Sequence, residues 1–202
     1  MSDLWEVESA LHREGVALVC GADEAGRGPL AGPVCAAAVI LRLDVELPGL
    51  NDSKKLTEKR REELFPLIQE RAVTYGIAFA TVEEIEKLNI LNAALLAMDR
   101  AIAQLDPAPE LALIDGNTVK GISIPARSVV GGDGKCACIA AASVLAKVTR
   151  DRLMKQLAEQ YPQYGFERHK GYGTKEHYAA LERYGPSPVH RPSFLKKFYA
   201  KR

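Results

Sequence analysis

Two adjacent carboxylates, Asp23 and Glu24, follow an apolar run and precede a glycine- and proline-rich turn in the segment GADEAGRGP at residues 21–29. Two like charges at the end of a buried strand are costly, because they repel each other and burial removes their hydration. A divalent cation bound between them removes that cost. Taken alone, the pair fits a metal site and a plain polar strand end about equally well.

Two further aspartates strengthen the metal hypothesis. Asp115 ends a second apolar run, and Asp133 lies in a GGDG turn just before a long helical stretch. The ends of neighbouring strands in an α/β sheet converge on one edge, so we expect Asp23, Glu24 and Asp115 to face a common centre, with Asp133 completing it. A set of oxygen ligands without His or Cys favours Mg²⁺ or Mn²⁺ over zinc.

Basic residues near these carboxylates suit a phosphate-containing substrate. The tripeptide Gly26-Arg27-Gly28 is either a tight turn or a place where backbone groups approach a ligand while Arg27 contacts phosphate. Its spacing fits neither a dinucleotide-binding motif nor a phosphate-binding P-loop. Lys54 and Lys55 lie in a polar loop and are either phosphate contacts or part of a solvated turn.

An alternation of apolar strands and helices must position these residues. Apolar runs of six to nine residues predict five strands, at residues 16–23, 34–41, 73–81, 110–115 and 122–130. Amphipathic or Ala-rich stretches predict helices at residues 4–13, 57–72, 89–105, 136–160, 174–184 and 192–201. This pattern indicates an α/β fold with a mixed sheet.

Charge is unevenly distributed along the 202 residues, although the formal net charge is only +1. Residues 150–202 carry 12 basic and 5 acidic side chains together with 9 of the 13 aromatic residues. Cations contact phosphates and aromatic rings stack on bases or sugars, so this segment predicts a nucleic-acid surface, with a solvated helix pair as the alternative. On the long helix, Lys147 and Arg150 share a face expected to hold a DNA strand.

Composition excludes several other classes of protein. The apolar fraction of 47% and charged fraction of 26% are typical of a folded globular chain. The longest apolar run is too short to cross a bilayer, and the acidic start lacks the features of a secretory signal, so we expect a cytoplasmic protein without membrane contact. The four cysteines lack C-x-x-C spacing and are expected to be buried, inert thiols.

Six sequence blocks together resemble bacterial ribonuclease HII. They run in that family's order across residues 15–195. The blocks are GADEAGRGP at 21–29, LNDSKKL at 50–56, LIDGN at 113–117, GD at 132–133, IAAASVLAKVTRD at 139–151 and YGFERHKGYGT at 164–174.

The resemblance implies a ribonuclease H-like fold, with a mixed five-stranded sheet flanked by helices. The Gly185-Pro186-Ser187-Pro188 stretch is the expected hinge between a catalytic domain at residues 1–185 and a short, basic helical tail at residues 186–202. The resemblance also implies hydrolysis of the RNA strand of RNA·DNA hybrids, and cleavage on the 5′ side of ribonucleotides embedded in duplex DNA. The products would carry 5′-phosphate and 3′-hydroxyl ends.

The resemblance also assigns site residues. Asp23, Glu24, Asp115 and Asp133 match the family's metal-binding carboxylates, which hold two Mn²⁺ or Mg²⁺ ions when substrate is bound. We expect Asp23 to bridge the ions, with Asp133 nearer the nucleophile metal and Glu24 with Asp115 nearer the leaving-group metal.

Substrate recognition is assigned in the same way. Gly26, Arg27 and Gly28 match the tripeptide that senses the ribonucleotide 2′-hydroxyl, and Tyr172 matches the tyrosine that packs on the following sugar. Arg27 and the short N-terminus favour type II over type III enzymes. Gly173 stands where many members have proline, and we expect it to loosen the Tyr172 loop.

Two alternatives remain at this stage. Another metal-dependent nuclease of the same architecture, such as a junction resolvase, would share the fold, and a hybrid-binding protein without catalysis would share the surface. His169 either positions a phosphate or caps a turn. We expect a monomer, and a contact between the C-terminal helix and a replication clamp stays open.

Overall fold

A mixed five-stranded sheet forms the centre of the computed structural model, which describes residues 3–200. The strands are β1 (Val19–Ala25), β2 (Val34–Ile40), β3 (Thr74–Ala80), β4 (Leu111–Asp115) and β5 (Ala126–Val129). Their order across the sheet is β3-β2-β1-β4-β5, with β1, β4 and β5 parallel and β2 antiparallel to both β1 and β3. The predicted α/β class, strand number and mixed pairing are confirmed.

Helices surround this sheet. They are α1 (Glu6–Arg13), α2 (Glu58–Arg71), α3 (Val82–Leu88), α4 (Ile90–Ile102), α5 (Ala137–Gln160), α6 (Phe166–His169), α7 (Lys175–Tyr184) and α8 (Pro192–Tyr199). The side chains of Thr57 and Thr174 cap α2 and α7 by accepting backbone N–H groups, as Ser/Thr caps do. Two short helices, α3 and α6, were not predicted. The predicted last residue of α8, position 201, lies outside the described residues.

Both faces of the sheet are covered, which explains why β2 is apolar at every position. Ala36, Ala38 and Ile40 pack with α4 in one core cluster, while Ala37 and Val39 pack with α2 and α5 in another. Small residues bring α5 close to the sheet: a Cβ on Gly21 would lie 2.3 Å from the backbone nitrogen of Ile139. The long helix therefore packs directly on the backbone of β1.

The C-terminal segment contacts the loop between β1 and β2. His190 forms an isolated antiparallel bridge with Ala31, and the N–H of Arg191 donates to the Leu30 carbonyl at 2.8 Å. Leu195 of α8 is buried in a cluster with Phe166 of α6 and Leu181 of α7. The division into units at residues 1–185 and 186–202 stays a prediction.

The four cysteines are free thiols, and each is buried, which confirms the predicted inert role. Burial raises the pKa of Cys20 and of Cys35 to about 12, so neither forms a thiolate at neutral pH. Across residues 3–200, every helix falls short of the length and apolar character that a membrane span requires.

Candidate active site

Strand register brings the first two aspartates together. The parallel pairing of β1 with β4 aligns Ala22 with Ile114, so Asp23 and Asp115, the next residues, lie side by side at the carboxyl edge of the sheet. This is the convergence expected from neighbouring parallel strands in an α/β sheet.

Asp133 joins them from the loop before α5. It lies on the single 3₁₀ turn Gly132–Gly134, and the Gly132 N–H donates to Oδ1 of Asp115 at 2.7 Å. One carboxylate oxygen each from Asp23, Asp115 and Asp133 lie within 4.8 Å of one another. The predicted convergence of these three residues is confirmed.

Glu24 lies at the margin of this cluster. It is next to Asp23 on β1, and its Oε1 lies 3.4 Å from a guanidinium nitrogen of Arg27. Burial raises the pKa of Glu24, Arg27 opposes that shift, and the charge of Asp115 adds to it. Glu24 is therefore close enough to contribute charge, although it is not one of the three mutually close carboxylates.

The cluster carries excess negative charge. Burial, followed by the charges of Glu24 and Asp115, raises the pKa of Asp23 well above its usual range, and burial also raises the pKa of Asp115. A cation lies beside the cluster, because Nζ of Lys54 is 3.0 Å from Oδ2 of Asp133. Burial lowers the pKa of Lys54, but the hydrogen bond to Asp133 and the negative charges of Asp133, Asp23 and Asp52 together outweigh that effect and leave the pKa raised.

These features fit a divalent metal. Three aspartates provide hard oxygen donors at one centre, and their mutual repulsion favours a bound cation. The ammonium of Lys54 places one positive charge beside Asp133. Lys55 is exposed next to it, with its Nζ 3.9 Å from where a Cβ on Gly134 would stand.

A groove runs from the carboxylates to Tyr172. It is lined by Asp23 and Glu24, the tripeptide Gly26-Arg27-Gly28, Ser53, Lys54, Lys147, Arg150 and Tyr172. Tyr172 is 46% exposed, and a Cβ on Gly28 would lie 3.3 Å from its ring. Most residues assigned to substrate recognition thus meet in one groove.

The backbone at Gly26 requires glycine for two reasons. Its φ of 103° is unfavourable for other residues, and an added Cβ would lie 2.0 Å from Nε of Arg150. Both Gly26 and Arg27 direct their carbonyls to the guanidinium of Arg191, at 2.7 and 3.0 Å. The buried guanidinium of Arg191 therefore fixes the backbone of the tripeptide.

Arg150 requires a correction. It was expected to share a DNA-holding face with Lys147, but it is 1% exposed and donates to the carbonyls of Ala31, Pro33 and Lys170. Spacing along α5 predicts that Lys147 and Arg150 share a direction, but it does not show that the guanidinium of Arg150 packs against the loop between β1 and β2 instead of facing solvent. Lys147 is partly exposed and pairs with Asp151 at 2.7 Å.

His169 and Gly173 have structural explanations. His169 is buried and bonds through Nε2 to the Tyr164 carbonyl, while Nδ1 accepts the Gly171 N–H. These contacts support the turn-capping alternative. At Gly173, an added Cβ would lie 2.8 Å from the hydroxyl of Tyr178, so the Tyr178 side chain fills the space that a larger residue would need.

Sequence reasoning missed Arg191, His177 and His190. All three are buried beneath the groove and bond to backbone atoms or to one another. The only local signal was the presence of charged and titratable residues, with His190 and Arg191 in the predicted tail and His177 in the predicted helix at 174–184.

Comparisons with known proteins agree with this architecture. A family model described as Ribonuclease HII matches residues 20–197. A Ribonuclease HII from Dechloromonas aromatica is 61% identical over 179 residues, covering 89% of this chain and 91% of that protein. One from Clostridioides difficile is 53% identical over 189 residues, covering 94% of this chain and 74% of that protein.

A solved structure gives the same result. The crystal structure of ribonuclease H2 from Pyrococcus horikoshii superposes with a TM-score of 0.74 at 26% identity, covering 92% of this chain and 98% of that one. The similarity in sequence and in fold therefore extends over nearly the whole chain.

Proposed function

Because the chain belongs to the ribonuclease HII family, a group of metal-dependent enzymes acting on the RNA strand of RNA·DNA hybrids, we propose that its aspartate cluster and adjoining groove form the active site. The observation that carries this proposal is the approach of Asp23, Asp115 and Asp133 to within 4.8 Å at one end of that groove. Retention of these carboxylates argues against a binding protein without catalysis.

Asp23, Asp115 and Asp133 would hold the metal, with Glu24 contributing at the margin. Bound Mg²⁺ or Mn²⁺ supplies an activated water and neutralises charge on the phosphodiester and its leaving oxygen, most effectively as a pair of ions. The hydrogen bond from Gly132 to Asp115 fixes the approach of the Asp133 loop to the end of β4. Lys54 and Lys55 place positive charge where phosphates would lie.

The groove supports recognition of an embedded ribonucleotide. Arg27 and Gly28 are exposed, so Arg27 can contact phosphate and the Gly28 backbone can approach a ligand, while Gly26 next to them is buried and Tyr172 presents its ring beside Gly28. A 2′-hydroxyl is the feature by which a protein distinguishes RNA from DNA at a given nucleotide. We assign the 2′-hydroxyl to the tripeptide and the following sugar to Tyr172. A junction resolvase would not require this pair of contacts.

The test is incubation with duplex DNA containing one ribonucleotide, with Mg²⁺, Mn²⁺ or EDTA. An all-DNA duplex and a continuous RNA·DNA hybrid of the same sequence are the controls. We expect metal-dependent cleavage on the 5′ side of the ribonucleotide, leaving 5′-phosphate and 3′-hydroxyl ends. Cleavage of the hybrid but not of the single-ribonucleotide duplex would contradict the assigned groove function.

Oligomeric state, location and further partners are separate predictions. We expect a monomer in the cytoplasm, and a contact between α8 and a replication clamp stays open.

A further inference from the structure

Two neighbouring residues of the C-terminal segment reach both parts of the substrate groove. Arg191 is fully buried, and its three guanidinium nitrogens donate to the carbonyls of Gly26, Arg27 and Gly32 at 2.7, 3.0 and 2.9 Å. His190 is also buried and begins a chain of hydrogen bonds that ends at Tyr172. One dipeptide is thus linked to the loops on both sides of the groove, directly through Arg191 and by way of His177 through His190.

The hydrogen bonds define the direction of the histidine chain. The Ser187 N–H donates to Nδ1 of His190 at 2.9 Å, so the proton of neutral His190 is on Nε2. That N–H donates to Nε2 of His177 at 2.9 Å. The remaining proton of His177 is therefore on Nδ1, from which it donates to the Tyr172 carbonyl at 2.9 Å.

Burial favours this neutral arrangement. Burial, followed by the charge of a protonated His177, lowers the pKa of His190 to about 4, and burial also lowers the pKa of His177. Both rings are therefore neutral near pH 7, as the chain of single donors and acceptors requires. His169, stacked on His177 with ring centroids 4.6 Å apart, packs against the same ring.

Stability alone does not explain why Arg191 is buried. The three hydrogen bonds that its guanidinium donates to Gly26, Arg27 and Gly32 all end on neutral carbonyls, and Arg150 places a second buried guanidinium close by. Buried cations without carboxylate partners are costly, and apolar packing often replaces them without loss of stability. The planar guanidinium does, however, fix three carbonyls of one loop in a single geometry.

We propose that the dipeptide His190-Arg191 positions the tripeptide Gly26-Arg27-Gly28 and the Tyr172 loop relative to each other, and so sets the discrimination between ribose and deoxyribose. This rests on the function proposed above for the same groove. Arg191 acts through the carbonyls of Gly26 and Arg27, and His190 acts through His177. Neither residue needs to contact the substrate.

The first test uses Arg191→Lys, which keeps the charge but cannot span three carbonyls. We expect amide hydrogen exchange at residues 26–28 of the substrate-free enzyme to accelerate about tenfold or more. We also expect the ratio of kcat/KM on a single-ribonucleotide duplex to kcat/KM on a continuous hybrid to fall about tenfold. Met98→Ala truncates a buried side chain of α4 and serves as a control for the effect of reduced stability.

The second test uses a matched pair at His190. In His190→Gln the side-chain amide nitrogen stands near the position of Nε2 and can still donate to His177, whereas in His190→Asn it lies one bond short of that position. We expect His190→Gln to keep the substrate ratio within about twofold of wild type and His190→Asn to lower it about tenfold. This pair also tests the proposal if Arg191→Lys does not fold.

The outcomes separate the proposal from the function on which it rests. Equal losses on both substrates in Arg191→Lys and His190→Asn, matching Met98→Ala, would overturn the positioning role. Unchanged amide exchange at residues 26–28 in Arg191→Lys would also overturn it, without reference to any substrate. Failure of the wild-type enzyme to cut the single-ribonucleotide duplex would instead reject the proposed function, while the exchange measurement still decides whether Arg191 orders the tripeptide.

Discussion

The carboxylates of the aspartate cluster lie close together although their negative charges repel one another. Because the charge of Asp115 disfavours ionised Asp23, Asp115→Asn removes a repulsive charge while keeping an oxygen that accepts the Gly132 N–H. We expect a melting temperature in EDTA at least as high as that of wild type, loss of the stabilisation by Mg²⁺, and a fall in turnover of about a hundredfold or more.

Thermal unfolding with EDTA or Mg²⁺, and cleavage at saturating Mg²⁺, measure these effects. Asp133→Asn is the companion variant. Near-normal cleavage by this variant would show that Asp133 is misassigned as a metal ligand.

Tyr172 offers a ring face beside Gly28, so its contribution depends on the ring rather than the hydroxyl. We expect Tyr172→Ala to reduce kcat/KM on a single embedded ribonucleotide more than on a continuous RNA strand, by about tenfold in the ratio. Tyr172→Phe should be milder because it keeps the ring. Comparison of both substrates checks this, and an equal loss for Tyr172→Ala would leave the tyrosine only a role in supporting the loop.

At the residue scale, the sequence predicted which carboxylates meet but not which cations face solvent. Asp23 and Asp115 were predictable because each ends an apolar strand, and parallel strand ends converge. Arg150 and Arg191 were not, because their partner carbonyls lie more than a hundred residues away for several of their bonds. Local spacing carries no information about such contacts.

At the scale of elements, long periodic segments were predicted well and short ones poorly. The strands β1 to β4 and the helices α2, α4 and α5 fall within a few residues of their predicted ranges. The four-residue α6 has too few positions to show a period, and α3 begins directly after β3 with a capping box at Thr81. Strand β5 begins only after Pro125, since proline cannot donate to the sheet.

The contact of α5 with β1 depends on Gly21. Since a Cβ there would lie 2.3 Å from the Ile139 nitrogen, we expect Gly21→Ala to lower the free energy of unfolding by about 2 kcal/mol or more and to displace the end of β1 that bears Asp23. Urea unfolding and cleavage assays measure the two effects. Gly134→Ala, where the nearest atom would be 3.9 Å away, should change stability by less than about 0.5 kcal/mol. A comparable loss in both variants would contradict this packing argument.

The histidine contact between α7 and the C-terminal segment makes stability depend on pH. His190 has a folded pKa of about 4 against an ordinary value of 6.5, so between these values the unfolded chain binds a proton that the folded chain excludes. Stability is therefore lost as pH falls from 6.5 towards 4, by up to about 3 kcal/mol from this residue. His190→Gln should flatten the pH dependence.

Urea unfolding at pH 4.5 and pH 7 measures this difference. The raised pKa values of Asp23 and Asp115 act in the opposite direction, but they are common to wild type and variant and cancel in the comparison. His12→Gln, at an exposed position, is the control. An identical pH slope in wild type and His190→Gln would contradict a buried neutral His190.

At the scale of the whole molecule, fewer basic side chains of the C-terminal quarter are free to contact phosphate than its composition suggests. Arg150 and Arg191 are buried on carbonyls, while Arg152 and Lys155 pair with Glu62 and Glu58 of α2. Arg168 pairs with Glu176. Part of the charge excess thus holds the fold together, and the cations free for phosphates are fewer than a count along the sequence predicts.

The salt dependence of duplex binding measures how many cations contact phosphate. Each neutralised phosphate contributes about 0.9 to the slope of log affinity against log salt on B-form DNA, because condensed counterions are released. Lys55 is exposed beside the aspartate cluster, and Lys196 is exposed on α8. If the duplex crosses both regions, Lys55→Ala and Lys196→Ala should each reduce the slope by about one unit.

Arg152→Ala is the matched control, because its guanidinium already pairs with Glu62 at 2.5 Å and contributes no free cation. We expect its slope to stay within about 0.3 units of wild type. Binding is measured in EDTA, so that cleavage does not consume the duplex, between about 50 and 200 mM salt. A reduced slope for Lys55→Ala alone would confine the duplex to the groove beside the carboxylates and remove α8 from the interface, whereas a flat dependence for the wild type would place the duplex on neither surface.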